Sequence, residues 1–89
     1  YQVDMWLHPD CADAFAVFEK SAFDAMARYG GTLVSETIDP NLPCDVRHIV
    51  EFPNELAFEA YRNGAEAAVL APLRNSIIQR TDIAPRAIR

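Results

Sequence analysis

Tyr1, Val3, Met5 and Leu7 alternate with Gln2, Asp4 and Trp6. This period of two predicts a strand with one strongly apolar face. The strand starts at the first residue, so a short preceding stretch outside this chain is expected. Pro9-Asp10 ends it, with Asp10 read as the N-cap of a helix and Asp13 supporting its first turn. Phe15, Phe18, Ala22, Ala25, Met26 and Tyr29 then recur at helical spacing. Asp13, Glu19, Lys20, Asp24 and Arg28 fall mostly on the opposite face, which gives an amphipathic helix of about five turns. Gly30-Gly31 stops the helix, because glycine adopts the left-handed cap at little steric cost.

The second half repeats the same vocabulary. Thr32–Ile38 is rich in β-formers, and Asp39-Pro40-Asn41-Leu42-Pro43 reads as a loop. In Val46–Phe52, Val46, His48, Val50 and Phe52 share one face and Arg47, Ile49 and Glu51 the other. Asn54 is the expected N-cap of a second helix, with Leu56, Ala57, Ala60 and Tyr61 as its apolar stripe and Asn63-Gly64 as its end. An alanine-rich turn runs through Leu70. Pro72 fits the first turn of a further short helix carrying Leu73, Ile77 and Ile78. Thr81–Ile88 is weakly β, and Pro85 restricts it to an edge.

The order β-α-β-β-α-β, with its last helix broken in two, is the split βαβ pattern of a ferredoxin-like fold. It predicts an α+β domain spanning residues 1–89, with a four-stranded antiparallel sheet and the helices on one face. Eighty-nine residues make one domain that buries only roughly 60–65% of its unfolded surface. Two cysteines without CxxC or zinc spacing supply no staple. Cys11 near a helix start invites a reactive-thiol reading, and its alternative is a small packing residue. Association is the remaining route to stability. The bare sheet face would carry Trp6 and either Ile49 or His48 among Asp4, Arg47 and Glu51, a composition seldom left wet. Pairing two such faces gives a dimeric α/β barrel, and a homodimer is the expected partner.

Composition and charge narrow the function classes. A hydrophobic share of 51% with 24% charged residues is a globular balance. No run approaches the ~18 apolar residues of a membrane span, and the opening residues lack the basic-then-apolar order of a leader. A cytoplasmic setting is expected. The net charge of -5 disfavours nucleic acid and anionic membranes. The acidity sits in residues 1–70, whereas residues 71–89 carry Arg74, Arg80, Arg86 and Arg89 against Asp82 alone. That basic segment reads either as a solvated face or as a tail that docks on a partner subunit.

Several residues together resemble a known family. Helix 1 ends in Arg28-Tyr29-Gly30-Gly31, the third strand runs into Glu51-Phe52-Pro53, and Arg74 follows beyond a helix, a break and a further turn. This order is similar to a small bacterial domain-of-unknown-function family of the dimeric α/β-barrel superfamily, over roughly Val3 to Arg80. The resemblance implies a homodimer with a ligand-sized cavity and supplies no reaction. The chain departs from the family where Gly64-Ala65-Glu66-Ala67 replaces a Ser-Pro-x-Tyr step, so Ala67 stands in for an aromatic side chain.

The candidate chemistry is spread along the chain. His8, at the mouth of the first strand near Asp4, is a candidate general base, and its alternative is a turn residue. His48 is the second candidate base if it faces a cavity, and a satisfied histidine if its face meets the helices. The apolar company of Val46, Val50 and Phe52 argues for the helices. Asp4, Trp6, Arg47 and Glu51 would then line the barrel face as binding residues, or pair among themselves. Tyr61 and Arg74 suit an aromatic or carboxylate-bearing ligand, while Tyr29 reads as helix-end packing. No HxH or HxxxH spacing points to a metal, no phosphate loop is present and no cofactor is implied. The expectation is a cofactor-free enzyme acting on a small organic molecule in the dimer cavity. The alternative is a non-catalytic ligand-binding or accessory dimer.

Overall fold

The structure, a computed structural model, describes residues 1–86. Its elements are β1 (Gln2–Leu7), α1 (Ala12–Ala27), β2 (Thr32–Thr37), β3 (Val46–Glu51), α2 (Glu55–Asn63), α3 (Ala65–Ile77) and β4 (Ile78–Ala84). The sheet is antiparallel in the order β2-β3-β1-β4, which is the ferredoxin-like arrangement expected from the alternation. It places β4 at an edge, where Pro85 just beyond the strand breaks no ladder.

The alternation sorts cleanly onto two faces. Met5, Val46, His48, Val50 and Ile78 are buried beneath the helices, while Asp4, Trp6, Arg47 and Glu51 occupy the open face. The core joins Met5, Val46 and Ile78 to Phe15, Phe18 and Ile77 from the helices. Burial of such side chains contributes roughly 1.5–3 kcal/mol each.

Four local expectations are corrected. Asp10 does not cap α1: it takes the left-handed conformation at φ 61°, and Cys11 holds the cap position without a side-chain cap bond. A short polar side chain tolerates that conformation, which turns the chain out of β1. Pro72 lies inside α3 rather than at its start, where alanines at 65, 67, 68 and 71 sustain the helix despite the lost N–H. The inward face of α2 is Ala57, Phe58 and Tyr61, with Phe58 buried and Leu56 76% exposed. Finally, β4 begins at Ile78, so Ile77 and Ile78 close a helix and open a strand rather than sharing a stripe. Ile88, at the end of the expected strand, and Arg89 of the basic segment lie outside the described residues.

Asn54 caps α2 as its residue type predicts, its Oδ1 accepting from the Ala57 N–H at 2.8 Å. Gly30 ends α1 at φ 77°. A side chain there would run into Pro53, and one at Gly31 would meet Met26 and Phe52 at 2.6 Å. One at Gly64 would strike the Tyr29 hydroxyl. The Tyr29-Gly30-Gly31 and Phe52-Pro53 segments are therefore two halves of one joint.

Candidate functional site

A cavity of about 530 Å³ lies between the helices and the covered face of the sheet. Its floor comes from Val3, Met5, His48, Val50 and Ile78 and its walls from α1, α2 and α3. Phe15, Phe18, Phe23, Phe58 and Leu70 make most of it apolar, with a few polar groups converging on it. This location differs from the expected one. The cavity lies within a single chain, on the helix side, because the helices bridge the sheet without filling the space between Ala22, Ala67 and Ala71.

One pole of the cavity is acidic. His48 lies on β3 with only 7% of its side chain exposed, and its Nε2 stands 2.7 Å from Glu36 Oε2 and 3.1 Å from Glu19 Oε2. Phe15 and Phe23 pack at 6.1 and 5.4 Å from its ring. Glu36 reaches His48 because β2 and β3 pair in a register that sets the two residues opposite each other. Glu19 comes down from α1. Burial and the adjacent Glu36 carboxylate push the Glu19 carboxyl up to about 8, so it is held protonated near neutrality. The hydrogen bond from Glu19, then that of His48, holds Glu36 below the ordinary carboxylate range. The other ring nitrogen, Nδ1, makes no hydrogen bond among the described residues and is not sealed from solvent.

The opposite pole is basic. Arg74 on α3 lines the cavity, and its guanidinium donates to the Thr81 hydroxyl. No carboxylate neutralises it among the described residues. Tyr61 lines the same end, and burial pushes its hydroxyl pKa up. Arg62 adds a second cation, 5.6 Å from the Phe58 ring centre.

The cavity thus gathers His48, Tyr61 and Arg74 from the residues singled out in the sequence, and leaves the others elsewhere. His8 stands beyond β1, tied down by its backbone N–H to the Ile77 carbonyl at 2.8 Å, with no carboxylate partner among the described residues. Asp4 and Arg47 form a two-pronged ion pair at 2.8 and 3.1 Å on the open face, which holds the Asp4 carboxyl below its usual value. Asp4 therefore orients no histidine. Trp6 donates its indole N–H to the Pro43 carbonyl at 2.8 Å and carries the Arg80 guanidinium 4.5 Å from its ring. Glu51 is exposed at the end of β3, and Arg47 has turned to Asp4 instead. Tyr29 packs at a helix end and donates to Glu66 at 2.6 Å. Cys11 and Cys44 are free thiols, and burial raises that of Cys44. Chain order gave no sign of Glu19 and Glu36: Glu19 read as part of the polar face of a helix, and Glu36 was not singled out within its strand. Only the register of β2 on β3 reveals them.

No protein-family model and no curated protein matches this sequence. Among solved structures, the chain is similar to a protein of unknown function from Rhodopseudomonas palustris, with a TM-score of 0.73 at 19% identity over 98% of this chain and 81% of that one. It is also similar to a dimeric protein of unknown function and ferredoxin-like fold from Bacteroides fragilis, with a TM-score of 0.57 at 14% identity over 91% and 86% of the two chains. At these identities the likeness shows the fold, and this chain has the ferredoxin-like fold. No helix among the described residues is long and apolar enough to cross a membrane.

Proposed function

We propose that the protein binds a small, partly aromatic organic acid in the helix–sheet cavity and acts on it by acid–base chemistry without a cofactor. The observation that carries this reading is the pairing of two opposite poles across one apolar cavity. His48, backed by two carboxyl groups, lines the same cavity as Arg74, a cation with no carboxylate partner among the described residues. Arg74, supported by Tyr61, holds the anionic group of the ligand. His48 takes a proton through Nδ1, and the Glu19–Glu36 pair stabilises the charge that forms on the ring. Of the two histidines, His48 is the stronger base candidate because His8 has neither a cavity nor a carboxylate partner among the described residues.

The reading includes a homodimer that seals the open sheet faces, with Asp4, Trp6, Arg47 and Glu51 at the seam, and a cytoplasmic setting consistent with two free thiols. The dimeric Bacteroides fragilis neighbour supports self-association. Light scattering across a dilution series tests it, and a folded monomer at micromolar concentration would sink it. The non-catalytic alternative keeps the same cavity, and one observation favours it: the Nε2 of His48 is already engaged on both sides.

Ligand-detected NMR with a panel of aromatic carboxylates tests the cavity. Binding that falls at least about tenfold in Arg74→Ala, the scale of one charged hydrogen bond, and that Ala67→Phe blocks by filling the space, is the expected result. A panel in which nothing binds overturns the reading.

A further inference from the structure

We propose that Glu19, Glu36 and His48 form a binding site for a first-row divalent cation of the zinc or manganese class. The three residues come from α1, β2 and β3, and one ligand atom of each lies within 4.8 Å of the others. The separations of 2.7 and 3.1 Å from Nε2 to the two carboxylates are close to the edges of a coordination shell. Bonds of about 2.1 Å set neighbouring ligand atoms roughly 3.0–3.4 Å apart. A shift of a few tenths of an ångström outward therefore seats an ion.

The buried histidine is what separates this trio from an ordinary acidic cluster. Its Nε2 aims between the two carboxylates and meets no group outside them among the described residues. Both carboxylates converge on the same ring nitrogen. A dication satisfies all three ligand atoms at once, with the imidazole in the neutral form that binds metals. One imidazole with two carboxylates suits zinc or manganese, whereas calcium requires six to eight oxygens. The sites of the trio are distant in sequence, so no motif spacing announces them.

The test is a titration of the metal-free full chain with Co2+, followed by its visible ligand-field absorption, with Zn2+ as the displacing ion. Saturable one-to-one binding with release of protons is expected. Glu36→Gln, which keeps the shape of the side chain on an edge strand, should weaken it by at least about tenfold. Glu59→Gln, an exposed carboxylate on α2, should leave it unchanged. Circular dichroism verifies that each variant is folded. The site is overturned by an absence of saturable binding in the wild type, or by binding that Glu36→Gln and Glu19→Gln leave intact. Capture of organic acids depends on Arg74 rather than Glu36, so either proposal can fail while the other stands.

Discussion

Arg47 and His48 are adjacent on β3 and point to opposite faces of the sheet, and the two charge clusters they anchor follow different rules. On the open face one acid meets one base: Asp4 and Arg47 make two parallel hydrogen bonds, and Gln2 supports the carboxylate from 3.2 Å. That pair is balanced, so a second sheet could cover Asp4 and Arg47 without leaving either of the two charges alone. On the helix face two acids share one histidine, and the excess is managed by a proton on Glu19. The balanced pair has geometry without spare capacity, whereas the unbalanced trio retains a group ready to exchange a proton or take an ion. The spare capacity therefore lies beneath the helices rather than on the more conspicuous open face.

The contrast can be broken most forcefully through packing. Phe15→Ala, which removes a ring that is 4% exposed beneath the helices, should destabilise the protein by about 3–5 kcal/mol in urea unfolding. Trp6→Ala on the open face should cost distinctly less under conditions where the chain is monomeric. Equal losses would mean that the open face is as essential to the fold as the covered one.

The two clusters should also answer pH in opposite senses. Folding raises the Glu19 carboxyl from 4.5 to about 8, so its contribution is full below pH 4.5 and is lost as pH rises through 8. Folding lowers that of Asp4 from 3.8, so its contribution is present above that value and is lost as pH falls through the folded pKa. Urea midpoints measured against pH should therefore decline between about 5 and 8 in the wild type, and the decline should flatten in Glu19→Gln. A Glu19→Gln profile that parallels the wild type would remove the protonated carboxyl from the account.

The smallest effect expected is that of Arg80→Ala, which uncovers Trp6. An exposed cation–π contact contributes about 0.5–1 kcal/mol and the exposed Arg80–Asp82 pair about 0.2–1 kcal/mol, so the urea midpoint should move slightly while the trio remains intact. A larger shift that depends on protein concentration would place Arg80 at a subunit seam.

Much of the scaffold could be read along the chain because its signals are periodic. The alternation in β1 and β3, the helical stripe of α1 and the Asn54 cap are all local, and local physics decides them. Asp10, Pro72 and the start of β4 were not legible, since the tertiary route of the chain overrides capping and breaking preferences there. The site divides in the same way. His48, Tyr61 and Arg74 stand out by residue type, although spacing could not tell which wall they share. Glu19 and Glu36 acquire their meaning only when α1 is laid over the sheet and β2 takes its register on β3.

The glycine joint has one further bearing. Gly30, Gly31 and Gly64 leave room for Pro53, Phe52 and Tyr29, and none of these six residues lines the cavity. The most recognisable words in this sequence are thus hinges of the masonry, spelled by steric necessity. A search guided by them will gather proteins built alike, whatever each one does. Sorting those proteins by activity calls for a fingerprint composed of 19, 36, 48, 67 and 74, positions scattered so widely that only a superposition of structures can line them up.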